Sequence, residues 1–400
     1  MIHHKLFSQK EIQAMSKHTT VLGNLLSHLD RSEFEKAVRE HNGNKGTRTL
    51  DTYLFFKGMV YGQITSSYSV REIESSLEAQ STKLYHCGLA TIKRTTFCDA
   101  LEKRDQKIFE KVFQSLVEKA NRISSKTGKK FKNPLKIIDA STIDLCLKRF
   151  DWAKFRTTKG AVKLHVRLNG DSLFPEQVKL TEGAIHEVNE LPSLCQDEGM
   201  INTFDRGYVD YKKLSDIDLN KSFFVTRMKT NCKYECVKVL ACSEYDPIRL
   251  DTVIRFTGVK SKKHYPQNLR LVIYHDDEYD RDYQFITNNF KLSAREIADI
   301  YKERWQVELF FKWIKQNLKI KTFWGTSRNA VFTQIWVALI VFMLLWINKA
   351  IEGLSATPQR IIQILKTTIL LKKTIVELFE IHSPPKKERT IQLYFHEFKN

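Results

Sequence analysis

Several familiar signals are missing from this 400-residue chain. Its opening residues, MIHHKLFSQK, hold no apolar stretch of the kind that forms a signal-peptide core, so secretion is not expected. No internal repeat or low-complexity tract appears, which sets aside solenoid and biased-composition architectures. The seven cysteines, at positions 87, 98, 146, 195, 232, 236 and 242, are odd in number and scattered. That pattern suits reduced cytosolic thiols better than a disulfide framework. CKYEC (232–236) lacks zinc-knuckle spacing and has no clear fourth ligand. No amphipathic Lys/Arg helix with a Trp-rich apolar face marks a membrane surface. One long apolar run exists, VFTQIWVALIVFMLLWI (331–347), at the edge of membrane-spanning length. Thr333 and Gln334 interrupt it and no second run accompanies it, so a helix buried in a large core is expected, with no membrane partner.

What the chain has in excess is positive charge. Lys and Arg number 65 against 46 Asp and Glu, a formal charge of +19, with a pI near 9.5. A surface this basic points to a polyanion, of which nucleic acid is the commonest. Hydrophobic residues make up 42% and there are 25 Phe, enough to bury a real core. The length implies two or more domains.

Residues 1 to 133 read as a helical domain suited to binding DNA. LLSHLDRSEFEKAVREH, YLFFKGMVYGQI, VREIESSLEAQ and FCDALEKRDQKIFEKVFQSLVEKA carry apolar residues at three- and four-residue spacing. Ser32 before Glu35 and Ser69 before Glu72 are candidate capping boxes. SSKTGKKFKNPLK, Lys-rich and polar, reads as a linker.

From 134 to 228 the pattern changes to strands: LKIIDAST, AVKLHVRL, FPEQVKLTEG, MINTFDRGYVD and KSFFVTRMK, with short helices near 186–199 and 209–217. Three strands, a helix, a strand, a helix and a fifth strand describe a mixed α/β layer. Residues 229–290 supply four more short strands, YECVKVLA, LDTVIRFTG, NLRLVIYHD and YQFITNN, and look like an all-β insertion. Helices resume over 291–350. Residues 351–400 form a C-terminal helical segment closing in a basic tail, HSPPKKERT.

The stretch DIYKERWQVELFFKWIKQNLKI (299–320) raises a specific question. On a straight helix Tyr301, Arg304, Glu308 and Lys315 fall within about 60° of one another. Apolar bands flank this stripe, with Val307 and Phe311 on one side and Leu309 and Trp313 on the other. A narrow ionic stripe between two greasy bands suggests a half-buried helix that holds a carboxylate among cations. Trp305, beside the stripe, could stack on a base, although packing in the core is the expected outcome.

Three acidic residues stand out by position: Asp139, closing the apolar part of IIDAST; Asp205 in FDRGY; and Glu308 on the striped helix. A carboxylate at the end of a buried strand is poorly solvated and needs a compensating cation. Three converging carboxylates suit a hard divalent ion such as Mg²⁺. Asp144, Asp151 and Asp210 lie near the first two, and composition does not choose among them. A lone Asp in such a turn is also commonly just a cap.

Tyr301, two residues, Arg304, three residues, Glu308, six residues, Lys315 resembles the Y-R-E-K motif of a large group of bacterial insertion-sequence DDE transposases. IIDASTIDLCL resembles the group's first-aspartate segment, KGAVKLHV the strand that follows, and FDRGYVDY the second-aspartate segment. The resemblance extends through the helical leader, including STKLYHCGL, and so covers nearly the whole chain. It implies a ribonuclease H-like mixed sheet with helices, carrying the 229–290 insertion, and Asp139, Asp205 and Glu308 as catalytic, metal-binding residues. It further implies a need for Mg²⁺ or Mn²⁺, as two ions, and phosphate contacts from Tyr301, Arg304 and Lys315. The partner would be double-stranded DNA, both transposon ends and target, bound by a homodimer in the prokaryotic cytoplasm at the nucleoid. The activity implied is cleavage at the element's ends and transfer of the 3′ hydroxyls to target DNA. A ribonuclease H-like structure-specific nuclease or resolvase, and a catalytically silent DNA-binding descendant, are the competing expectations.

Overall fold

The computed structural model describes residues 20–125, 128 and 130–379. The basic tail expected at 382–390 lies outside them. The chain groups into two compact units. The helical unit takes residues 20–125, 145–153 and 312–379, and the sheet unit takes 128, 130–144 and 154–311.

Helices appear in chain order as α1 (Val21–Leu26), α2 (Arg31–Glu40), α3 (Thr52–Ile64), α4 (Val70–Ala79), α5 (Arg94–Lys103) and α6 (Lys107–Ser124). Polar caps fix the starts of α2, α3 and α4. Asp30, Asp51 and Ser69 each accept a first-turn amide, satisfying donors that a helix end leaves orphaned. In the sheet unit, α7 (Tyr211–Leu219), α8 (Ala294–Glu303) and the start of α9 (Trp305–Asn317) follow. α10 (Arg328–Glu352) and α11 (Pro358–Thr368) complete the helical unit.

α10 contains the long apolar run, and its whole apolar window is buried against α1, α3, α5, α6 and α11. Side chains such as Leu339, Ile340 and Val341 are fully buried, and each contributes roughly 1.5–3 kcal/mol by leaving water. Gln334, which looked out of place in that run, donates to the Lys319 and Thr322 carbonyls, so its burial leaves the amide group bonded. α10 stops at Gly353, whose φ of +63° is reached most easily by a residue without Cβ.

The sheet unit is built on one ten-stranded sheet, with strands β1 (Leu135–Leu145), β2 (Lys154–Arg156), β3 (Lys159–Asn169), β4 (Pro175–Glu182), β5 (Ile201–Phe204), β6 (Phe223–Arg227), β7 (Tyr234–Cys242), β8 (Ile248–Phe256), β9 (Leu269–Asp276) and β10 (Arg281–Thr287). The order is β2-β3-β1-β5-β6-β10-β9-β8-β7, with β4 also paired to β3. β1, β5 and β6 are parallel neighbours, and β3 and β4 are antiparallel. That is the mixed α/β layer the segment order implied. β5, INTF, is buried along its whole length, and its polar Asn202 donates to the Phe223 carbonyl at 3.2 Å.

The four strands expected within 229–290 are all present and extend the same sheet, through antiparallel pairing of β10 with β6. The segment is not purely β: Val259–His264 forms a short helix. Tyr265 beyond it packs among Phe224, Phe256, Leu269 and Leu271 in the core shared with α7.

Candidate active site

The sheet register decides where the two aspartates lie. β1 pairs with β5 from Leu135↔Ile201 to Ile138↔Phe204. Asp139 and Asp205 are the next residues on two parallel neighbours, so they leave the paired region side by side, with backbones about 4.8 Å apart. β1 itself does not end at Asp139, as the sequence suggested. It runs on to Leu145, because residues beyond 139 pair on its other side. Asp205 caps a short turn, and its Oδ1 accepts the Gly207 amide at 2.8 Å. Asp139 Oδ1 accepts the Ala140 amide at 2.8 Å.

The striped helix is not one helix. It breaks at Arg304, between α8 and α9. The Arg304 amide reaches back three residues to the Tyr301 carbonyl, and Val307 does the same to Arg304. This tighter turn re-aims the Arg304 side chain. Its guanidinium donates to Glu308 Oε1 at 2.6 Å and lies 3.8 Å from Asp139 Oδ2. One cation therefore links the carboxylates of β1 and α9. The Tyr301 ring packs at a tilt of 34° against Phe285 of β10, centroids 4.7 Å apart, and the Arg304 guanidinium lies 5.7 Å from the Tyr301 ring centre.

Burial pushes the Asp139 carboxyl up to about 7. The Ala140 amide and Arg304 oppose that rise, while Glu308 and Glu187 add to it. Burial works against the Arg304 charge too, yet Tyr301, Glu308 and Asp139 together hold its pKa above the ordinary value. The Tyr301 hydroxyl is pushed up by burial and, more weakly, by Asp205, with Arg304 opposing. All of this marks a shared pocket of negative charge under a single guanidinium.

Two residues that the sequence reading did not single out belong to this pocket. Tyr208 is fully buried, its hydroxyl has no hydrogen-bond partner among the described residues, and burial followed by Asp139, Glu187 and Asp205 raises its pKa strongly. Its place directly after the Asp205 turn was the available signal. Glu187 sits in a one-turn helix and pairs with Lys163 at 3.6 Å. No periodicity in the sequence pointed to it.

Trp305 is 55% exposed, which corrects the expectation that it packs in the core. The break at Arg304 rotates it away from the apolar bands of α9. Lys315 follows Glu308 two turns later on α9, in the part of the helix that belongs to the helical unit. Among the described residues no three acidic, His or Cys side chains converge as a ready ligand set. The hard carboxylate oxygens of Asp139 and Glu308 suit a divalent ion by chemistry, and here the balancing cation is Arg304.

The Transposase DDE domain family matches residues 130–344, and a domain of unknown function (DUF4372) matches residues 17–90. A protein of Geobacillus stearothermophilus described as probable transposase for insertion sequence element IS5377 is 29% identical, over 83% of this chain and 85% of its own length. A protein of Sinorhizobium fredii named as transposase y4zB is 30% identical over 72% and 79%. A cryo-EM structure of a piggyBac transposase synaptic complex with hairpin DNA aligns over 93% of this chain and 84% of that one, with a TM-score of 0.46 and 11% identity. With more than half of its length inside the family match, spanning both aspartate segments and Glu308, this chain belongs to the DDE transposase family.

Proposed function

We propose that the protein excises and inserts an insertion sequence, and that it belongs to the Y-R-E-K group of these enzymes. The observation that carries this reading is the register that sets Asp139 beside Asp205, together with Arg304 tying Asp139 to Glu308. Asp139, Asp205 and Glu308 would hold two Mg²⁺ or Mn²⁺ ions. When bound, such ions activate water and stabilise the leaving oxygen of a phosphodiester.

The chain's own residues then position DNA. Arg304 presents a planar fork that suits a phosphate as well as a carboxylate. Tyr301 offers a hydroxyl held in place by Phe285, and Lys315 offers a point charge further along α9. Trp305, exposed beside them, offers a face on which a base can stack. Water hydrolyses one phosphodiester at each end of the element. The freed 3′ hydroxyl then attacks a target phosphodiester, forming a new ester and releasing a target 3′ hydroxyl. Handling two ends together requires at least two copies of the chain on double-stranded DNA, in the cytoplasm where that DNA resides.

Incubation with duplexes carrying the element's own ends and Mg²⁺, read on a denaturing gel, tests the proposal. The expected result is cleavage at the ends followed by joining to target, abolished in Glu308→Gln while DNA binding survives. Cutting of branched DNA without preference for the ends would identify a nuclease or resolvase. Binding with no metal-dependent nicking would identify a silent descendant.

A further inference from the structure

A second concave surface lies within the helical unit, far in sequence from the carboxylates. The loop between α2 and α3, HNGNKGTRTL (41–50), and the face of α5 with Arg104 enclose a groove of about 460 Å³. Lys45 and Arg48 line it from the loop and Lys103 from α5, with the hydroxyls of Thr47, Thr49 and Thr96 between them. The acidic lining residue is Asp99, and Lys103 already spans it at 3.6 Å. Lys45 and Arg48 are exposed, and among the described residues no ion pair engages either.

The loop is held rigidly from beneath. Thr52 donates its amide and hydroxyl to Asn44 Oδ1, at 2.7 and 2.8 Å, and the hydroxyl also lies 2.9 Å from the Gly43 carbonyl. Asn42 and Gly46 both adopt positive φ, 51° and 70°, which folds the loop back on itself. A Cβ on Gly43 would meet Ile108 Cδ1 at 2.7 Å, so the chain comes as close to α6 as glycine allows. Arg104, nearly fully buried, ties the loop's end by donating to the Leu50 and Asp51 carbonyls and lies 4.8 Å from the Phe55 ring centre. Its hydrogen bonds go to carbonyls, with the Asp51 carboxylate offsetting its charge only from nearby, so it adds positive potential under the groove.

We infer that this groove grips the phosphate backbone of duplex DNA, with Lys45, Arg48 and Lys103 on phosphates and the threonine hydroxyls on neighbouring oxygens. Cations interleaved with hydroxyls on a preformed loop suit phosphate oxygens, whose binding loses little to ordering. No Phe, Tyr or Trp lines the groove, so the base-stacking platform that single strands require is absent there. The excess of +19 charges over the chain favours the same partner. The inference rests on the proposed DNA-processing activity and names the surface outside the reaction centre that holds the element's end.

The test compares wild type with Lys45→Ala/Arg48→Ala in fluorescence-anisotropy titrations of a duplex bearing the element's terminal sequence, across a salt series. Lys262→Ala/Lys263→Ala, which removes the same charge from exposed positions on the Val259–His264 helix, is the control. Both groove residues are exposed, so thermal unfolding should match wild type. The loop variant should bind roughly tenfold or more weakly at moderate salt, with a salt slope smaller by about two, near 0.9 per lost phosphate contact. The control should keep the wild-type slope. An unchanged slope in the loop variant, or an equal loss in both variants, overturns the inference while wild type still binds. A wild-type chain that binds no duplex overturns the DNA-processing reading along with it.

Discussion

Arg304 donates to Glu308 at 2.6 Å across one turn of chain, and the same guanidinium faces Asp139 at 3.8 Å. One positive charge thereby offsets part of the repulsion between two carboxylates. Arg304→Ala should destabilise the ion-free protein by about 1–3 kcal/mol, since the uncovered charges remain partly buried. Mg²⁺ should then raise its melting temperature more than it raises that of wild type, because the ion takes over the lost compensation. Differential scanning fluorimetry across a Mg²⁺ series reads both effects. Equal Mg²⁺ shifts in the two proteins would show that Arg304 and the ion do not share a role.

Asp251 and Arg270 form a bidentate pair between β8 and β9, at 2.8 and 2.7 Å, with both side chains buried. Asp251→Asn keeps the shape but strands the Arg270 charge, and should cost about 3–5 kcal/mol in urea unfolding. The double replacement Asp251→Leu/Arg270→Met should cost distinctly less. A double variant as weak as the single would mean that packing, rather than charge, holds this part of the sheet.

His165 on β3 is fully buried. Its Nε2 meets Thr181 Oγ1 at 2.9 Å, and Nδ1 has no partner among the described residues. Burial lowers its pKa from 6.5 to about 4; Glu190 opposes the shift and nearby lysines add to it. The unfolded chain therefore takes up the proton first as pH falls. Stability from this group is complete above about pH 6.5 and is lost between there and pH 4. Between pH 7.5 and 5 wild type should lose about 2 kcal/mol more than His165→Asn. Parallel pH profiles of the two unfolding midpoints would contradict the assignment.

Gly62 sits inside α3, where a Cβ would lie 2.6 Å from Ile73 Cδ1 and 2.8 Å from Trp324 Cη2. The Ile73 methyl can yield, but the Trp324 indole is pinned through its N–H to the Ser67 carbonyl at 3.1 Å. Alanine gains about 1 kcal/mol in helix propensity and loses about 1–3 kcal/mol to overpacking. Gly62→Ala should thus be neutral to destabilising in denaturant unfolding. A clear gain in stability would mean that the indole moves freely.

Much of this arrangement was legible in the chain because it depends on local grammar. The four insertion strands follow from β-branched runs between turn residues, whereas Asp139 and Asp205 are singled out from Asp144, Asp151 and Asp210 only by the family resemblance of their segments. The Tyr301–Arg304–Glu308 spacing found the helix region, but periodicity assumes a straight axis. It could not show the break at Arg304, which turns Trp305 outward. Nor could it place Glu187 or Tyr208 beside Asp139, since those meetings depend on how the chain returns to β1. The pairing of residues 145–153 with the helical unit was equally hidden, because nothing in their composition departs from a strand-to-strand loop.

The long excursion from β7 to β10 starts after β6 and comes back to pair with β6 itself, with Thr226 opposite Ile286. Departure and return are therefore adjacent, and the polypeptide in between acts as a closed side trip. Its length can grow or shrink during evolution without altering where α8 and α9 begin, so the separation of Asp205 from Glu308 along the chain is uncoupled from their separation in space.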